Sequence, residues 1–575
     1  MSLGSIRAVP CDDRAVAHDV PATVDIIGAP AVIECEALPS GLIKTPCQFS
    51  SSVKWGGAGI EQSHEIGNGR VAGGVFWVLA HGDPFPAVGV QGMTRRTKIV
   101  ATVGPASESP DVLSAMVAAG CDVVRLNLSH GDVAGHLERL VMVRQVAADA
   151  GRHVAVLADL PGPKVRAGRF PDGGVALVAG ADVRLVAGGG DSDADTIYVA
   201  EPGVVAAVRV GDRVVLGDGA ISLTVVAVES APSGPAAITA RVDTGGRTQG
   251  APGVHISSER FHLATPTPED LVLADTMASA GVEFIAVSFV RTAADLAPVR
   301  EVVAGRARLV AKIETSAALA DISAIIQAAD AVMVARGDLG IDCPIEDVPH
   351  LQKAIVRDCV EHGVPVITAT QMLESMITAP APTRAEVSDV ANAVFDGTDA
   401  VMLSGETAIG RDPVAVVATM SSVAERAERE ASYRQWARRL GRLQRGDWSS
   451  TDDRVTAALV HAASEAAHDV DAAAILCCTR SGRTARAMAR FRPEARLLGL
   501  SPDPAVLASL ALSWGVEPVP VDTYGSTDEM VWFAVETAVR HGLVVHGSTV
   551  LVLAGSPGGG EGSAAADVMR IVRVE

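Results

Sequence analysis

From residue 98 onward the chain repeats one unit eight times: a short run of β-branched and small apolar residues, a polar tip, then a helical stretch. The runs are KIVATVG (98–104), VVRLNLS (123–129), VAVLADL (154–160), FIAVSFV (284–290), LVAKIE (309–314), AVMVARGD (331–338), PVITATQ (365–371) and AVMLSGE (400–406). Between them, stretches such as SPDVLSAMVAAG (109–120), TPEDLVLADTMASAG (267–281) and TRAEVSDVANAVFDG (383–397) open on helix-start signals and close on Gly. Eight β-then-α units predict an α/β chain built on a (β/α)8 TIM barrel, whose reactive side chains sit at the C-terminal strand ends.

The polar residues fall at those ends. The second strand offers Arg125, Asn127 and Ser129, the third Asp159, and the fifth Lys312 and Glu314. Arg336 and Asp338 end the sixth, Thr370 the seventh, and Ser404 and Glu406 the eighth. A solvated strand end explains one such pair, but six strands ending alike point to one shared site. Lys312 and Glu314 are two apart, hence on one face of an extended strand, and Asp338 ends the neighbouring strand. Two carboxylates beside phosphate oxygens suit Mg²⁺, with Mn²⁺ as the alternative, and an adjacent ammonium suits charge building on a phosphoryl group or an enolate. The predicted chemistry is phosphoryl transfer on a small carboxylate.

The gap between the third and fourth runs is too long for one crossover and carries β-rich text of its own, including RVGDRVVLGDGAISLTVVAVE. It predicts an inserted β-barrel domain placed as a lid. After a helical stretch near 420–447, AAAILCCTRSGRTARAMARF (472–491) and four later β runs predict a C-terminal α/β domain. The expected organisation is therefore barrel over 93–164, lid over 165–262, barrel again over 263–430 and α/β domain over 431–575. Residues 1–92 show no such order, and read either as a poorly ordered extension outside the catalytic unit or as a misassigned start.

Net charge of −20 argues against nucleic acid or an anionic membrane as main partner, so an anionic substrate needs locally focused cations. Of the 48 basic residues only six are Lys, at 44, 54, 98, 164, 312 and 353, which draws attention to Lys164 and Lys312. The eight Cys form no CxxC pair and no zinc spacing, and no stretch reads as a membrane span or signal peptide; a reduced cytoplasm is the expected setting.

Taken together, KIVATVGPAS, RLNLSHG, AKIE, VARGDLG, TATQMLESM, PTRAEVSDVANAVFDG and MLSGETAIG make residues 93–575 resemble pyruvate kinase. The resemblance implies transfer of the phosphoryl group of phosphoenolpyruvate to ADP, giving pyruvate and ATP in the last step of glycolysis. It implies that Arg125 binds the phosphoryl side, that Lys312 stabilises the transferring group, and that Glu314 and Asp338 hold the divalent metal. The backbone of Arg336, Gly337 and Asp338, with Thr370, is implied to receive the pyruvate carboxylate, and Thr370 to join the proton relay. His130 and Arg166 fall on the nucleotide side. The C-terminal loop Thr479, Arg480, Ser481, Gly482, Arg483 and Thr484 matches the family's effector loop, with a sugar phosphate or nucleotide as effector and a homotetramer as the assembly.

Two departures stand out. Many family members need K⁺, held by residues matching Asn127, Ser129, Asp159 and the carbonyl of Leu160; here Lys164 replaces a glutamate and Leu160 a threonine, as in members resembling K⁺-independent enzymes. An ammonium in that position predicts that K⁺ is not required. Pro252 stands where many relatives carry a nucleotide-binding lysine, for which Arg247 is the candidate substitute. Two other functions compete with this reading. An aldolase or lyase using phosphoenolpyruvate or pyruvate is disfavoured by the lid and RLNLSHG. A catalytically weak paralogue sensing sugar phosphates is disfavoured by intact Lys312, Glu314, Asp338 and Thr370.

Overall fold

The computed structural model describes residues 95–575 except 218, 220, 230–236, 259, 262, 432, 434–435, 439, 441–450 and 556–565, together with 23–26 and 29–32. The last two stretches form an antiparallel hairpin, Thr23–Ile26 with Ala29–Val32. The remainder of the expected 1–92 extension lies outside the described residues.

Eight parallel strands close into one barrel: Lys98–Thr102, Val123–Asn127, Ala155–Asp159, Phe284–Val287, Arg308–Ile313, Ala331–Ala335, Val366–Ala369 and Ala400–Leu403. Period two decides what each residue meets. In the fifth strand Leu309, Ala311 and Ile313 pack outward with the helices, while Val310 joins a second cluster with Val100, Val123, Leu157, Phe284, Met333 and Met402 along the barrel axis. Lys312 and Glu314 continue the parity of Val310, Arg125 and Asn127 that of Val123, and Asp159 that of Leu157. The axial rows of these three strands therefore run from apolar Val310, Val123 and Leu157 to a polar C-terminal end, which puts Arg125, Asp159, Lys312 and Glu314 at the C-terminal mouth.

The helices begin and end where local chemistry satisfies their free backbone groups. Ser109 caps Pro110–Ala119, and Thr267 and Thr383 form capping boxes with Asp270 and Glu386. Gly120 and Gly397 close two of these helices in left-handed conformation, where a side chain would be strained.

The strands stop one to three residues short of the predicted C-terminal ends. The fourth, sixth and eighth fall three residues short; the sixth, expected to reach 338, ends at Ala335, and Arg336–Asp342 is helical. Likewise Gly405–Ala408 is helical. At these tips the chain leaves the ladder, so Ser129, Glu314, Asp338, Thr370 and Glu406 are carried by turns and first helical turns, while Arg125, Asn127, Asp159 and Lys312 stay on extended strand.

The insert is a six-stranded sheet whose edge strands, Thr196–Val199 and Val254–Ile256, are both bonded to residues 165–168, which closes it as the expected barrel; a two-stranded ribbon (Phe170–Leu177 with Gly246–Gly250) shares its apolar core. The C-terminal domain is a five-stranded sheet with its last strand, Val568–Arg573, antiparallel, and with apolar clusters on both faces. It closes the other end of the barrel: Ala511 and Leu512 join the axial cluster, and fully buried Arg492 pairs with Asp399 at 3.0 Å while lying over the Trp514 ring. Burial of that charge is tolerated because its guanidinium also donates to Gly397 O at 2.7 Å.

The five described cysteines, Cys121, Cys343, Cys359, Cys477 and Cys478, are all buried, as packing residues should be. Burial pushes the Cys121 and Cys478 thiols up to about 12, which keeps them unreactive. Among the described residues no helix is long and apolar enough to cross a membrane.

Candidate active site

A cavity of about 860 Å³ lies between the barrel mouth and the insert, and its wall includes Arg125, Asn127, Ser129, His130, Lys164, Arg166, Lys312, Glu314, Gly337, Asp338 and Thr370. The centre of the site is Lys312. Its Nζ lies 2.8 Å from Glu314 Oε1 and 3.1 Å from Asp159 Oδ1, and donates to Ser288 Oγ at 2.6 Å. Burial works against the ammonium, but Asp159 and then Glu314 outweigh it and hold its pKa above the usual lysine range. Lys312 is therefore a fixed positive charge, not a proton donor that titrates near neutrality.

Asp159 is held from its other side by Arg125, whose Nε donates to Oδ2 at 2.7 Å and whose Nη1 donates to Thr102 Oγ at 3.0 Å. Burial would raise the Asp159 carboxyl, yet Lys312 and Arg125 bring it below the ordinary carboxylate range. Glu314 behaves oppositely: burial pushes it up, Lys312 pulls it back, and the charge of Asp338 pushes it up again. Its Oε2 accepts the Phe289 N–H at 2.7 Å.

The Asp338 side chain makes no hydrogen bond or ion pair among the described residues, although it lines the cavity with Glu314. Two carboxylates, Glu314 held by Lys312 and Asp338 with its side chain unpartnered among the described residues, form an oxygen donor set suited to a divalent cation that keeps several waters. The residues present thus fit the expected Mg²⁺.

Thr370 and Gln371 both take positive φ, 68° and 55°, an unusual state for a β-branched residue. Arg336 explains why the strain persists. Its buried guanidinium donates to the carbonyls of Ala369 at 3.3 Å, Thr370 at 2.7 Å and Gln371 at 3.4 Å, and pairs with Asp389 at 2.7 Å. The Arg336 side chain is accordingly taken up by these contacts behind the wall, and it is Gly337 and Asp338 that line the cavity. The Thr370 hydroxyl accepts from Gly337 N–H at 2.7 Å and donates to Ala369 O at 2.6 Å.

Lys164 Nζ donates to Ser129 Oγ at 3.0 Å. Partial desolvation, then Lys312 and Arg166, lower its pKa, with Asp338 and Asp159 opposing them. The Asn127 side-chain oxygen accepts the Ser129 N–H at 3.2 Å. The Leu160 carbonyl accepts from Ser288 Oγ at 2.8 Å, so a relay runs from Lys312 through Ser288 to Leu160 and does not include Lys164. Of the four positions matched to a K⁺ site, Ser129 meets the ammonium of Lys164, while Asp159 Oδ2 and the Leu160 carbonyl already have donors and Asp159 Oδ1 is paired with Lys312.

On the lid side, Arg166 Nη1 donates to Ala251 O at 3.1 Å, and Arg166 and His130 both line the cavity with Pro252. Arg247 does not take the place of the absent lysine: its Nε donates to Gly173 O at 2.9 Å, and it is not in the cavity wall. In the C-terminal loop, Ser481 O accepts from Arg308 at 3.1 Å and Arg486 at 2.9 Å, and Arg483 pairs with Asp453 at 3.4 Å. Arg308 opens the strand that carries Lys312 at its other end.

Sequence reasoning missed Ser288 and Thr102, the residues that complete the ring on the fourth and first strands. The signal was parity: Ser288 follows Phe284 and Ala286 on the axial face, and Thr102 follows Val100.

The model of the pyruvate kinase barrel domain matches residues 94–417, and that of the pyruvate kinase alpha/beta domain matches 457–572. A pyruvate kinase of Geobacillus stearothermophilus is 42% identical over 475 residues, covering 82% of this chain and 79% of the relative. One of Methylorubrum extorquens is 39% identical over 481 residues, covering 84% and 98%, and one of Clostridium acetobutylicum is 36% identical over 468 residues, covering 80% and 96%.

Proposed function

The chain belongs to the pyruvate kinase family, and from that premise we propose how its residues divide the reaction, phosphoryl transfer from phosphoenolpyruvate to ADP to give pyruvate and ATP. The observation that carries the assignment is the Lys312 ammonium fixed between Asp159 and Glu314 at the mouth of a cavity that also holds Asp338 and Thr370.

As negative charge builds on the transferring oxygens, Lys312 meets it with an ammonium already oriented by three partners, so little reorganisation opposes the step. Arg125, held by Asp159 and Thr102, presents a second cation toward the phosphoryl side. Glu314 and Asp338 would hold Mg²⁺, which supplies charge neutralisation and a template for phosphate oxygens when bound. The amides at Arg336–Asp338 receive the carboxylate, and His130 and Arg166 receive the nucleotide phosphates. For Thr370 to serve the proton relay its hydroxyl hydrogen must rotate off Ala369 O.

We further propose that Lys164 stands in for K⁺. A +1 charge at Ser129, near Asp159 and Asp338, needs no binding equilibrium of its own. The test is pyruvate formation from phosphoenolpyruvate and ADP with Mg²⁺, coupled to NADH oxidation, with and without K⁺ in K⁺-free Tris. Comparable turnover in both is the expected outcome, and large saturable activation by K⁺ would remove the substitution from the account.

The loop from Thr479 to Thr484 is proposed as the effector loop because it joins a strand end to a helix start and touches Arg308 of the catalytic strand. Arg483→Ala is expected to weaken activation by sugar phosphates or nucleotides about tenfold, with basal turnover unchanged, as loss of one charge-assisted contact should. An unchanged activation curve would exclude the loop.

A further inference from the structure

The helix after the sixth strand is poorly suited to stand alone. Arg336–Asp342 is seven residues long and contains Gly337 and Gly340, so neither length nor propensity supports it. It also ends on Asp342, a negative charge at the negative end of the helix dipole. Yet its first turn presents Gly337 and Asp338 to the cavity. Something outside the helix must hold it.

At its start, Arg336 does so through the strand-seven turn and Asp389. At its end, Asp342 accepts three hydrogen bonds: Ser258 N–H to Oδ1 at 2.7 Å, and Ser258 Oγ–H at 2.7 Å and Ser316 N–H at 2.5 Å to Oδ2. The two serine hydroxyls are 3.2 Å apart. Ser258 lies two residues past the last lid strand, Val254–Ile256, on the return to the barrel, and Ser316 lies two residues past Glu314. Asp342 itself is one helical turn beyond Asp338, on the same face. One carboxylate thus ties together the lid exit, the Glu314 loop and the Asp338 helix.

We propose that Asp342 is a positioning residue for the divalent-metal site, clamping the loops of Glu314 and Asp338 at their working separation and coupling that separation to lid seating. The inference rests on the reading of Glu314 and Asp338 as the metal carboxylates. Its physical content is that two of the three bonds come from Ser258. A lid that swings away takes both, leaves Ser316 alone on Asp342, and frees a helix that cannot hold its own shape. By linkage, a metal ion that needs the clamped arrangement also favours the seated lid.

The test is Mn²⁺ binding to the full-length protein without substrates, by electron paramagnetic resonance titration, for wild type, Asp342→Asn, Ser258→Ala and Asp338→Asn. Asp342→Asn keeps the shape but turns one acceptor into a donor facing Ser316 N–H; it is expected to weaken Mn²⁺ ~10-fold or more, as loss of ligand-supporting contacts does. Ser258→Ala removes only the hydroxyl and is expected to weaken Mn²⁺ about threefold, with an unchanged thermal midpoint. If Asp338→Asn abolishes binding while the other two variants bind as wild type, Asp342 is merely structural and the inference fails. Wild-type binding by Asp338→Asn would instead sink the metal assignment. Should Asp342→Asn not fold, Ser258→Ala decides alone, and unchanged affinity in it overturns the coupling.

Discussion

Lys312→Met lowers kcat by at least ~100-fold, the expected loss when one preorganised transition-state donor is removed. Methionine keeps the length and apolar stem of lysine, so the axial packing below it is retained. The charge is what disappears. Lys312 separates Asp159 from Glu314, and without it the Glu314 carboxyl, already raised by burial, rises further. The variant should therefore also lose stability, because two buried carboxylates remain with Arg125 as their nearest cation. Both effects are separable by measurement: steady-state turnover in the coupled assay, and the thermal midpoint of the unliganded protein. Turnover within about tenfold of wild type, in a protein that melts normally, would mean that the phosphoryl charge is met elsewhere and that the central role of Lys312 is wrong.

The barrel was legible because its rule is repetitive. Each strand carries the same parity, so the axial row Val310, Lys312, Glu314 can be read from LVAKIE without neighbours. What parity cannot give is the point where a strand ends. AVMVARGD looks extended throughout, yet Ala335 is the last ladder residue, because the bonds that make Arg336–Asp342 a helix come from Asp389, Ser258 and Ser316, all distant in sequence. The same remoteness hid the role of the Arg336 side chain, which braces the strand-seven turn and pairs with Asp389. Ser288 was missed for a different reason: it is a small polar residue in an apolar run, and only Lys312 at 2.6 Å gives it meaning. The lid was legible as a β-barrel but not in its strand order, since pairing between distant short strands depends on register that alternation alone does not fix.

Lys164→Glu should convert the enzyme into one that needs K⁺. The substitution restores the acidic residue that K⁺-requiring family members carry in this position, and it moves the local charge by two units beside Ser129, with Asp159 and Asp338 in electrostatic range. An added carboxylate near two others repels the incoming phosphates as well as its neighbours. At an effective dielectric of ~20 one such interaction over several ångströms is about 2–3 kcal/mol, which corresponds to roughly a 100-fold loss of kcat/KM in K⁺-free buffer. K⁺ should recover most of that loss saturably, because Asn127, Ser129 and the new carboxylate then have a +1 ion to share, while wild type in the same titration stays flat. The rescue is the decisive part. A loss that K⁺ does not reverse would show damage to the phosphate site and not an exchanged cation, and a variant fully active without K⁺ would show that Lys164 carries no charge the reaction uses.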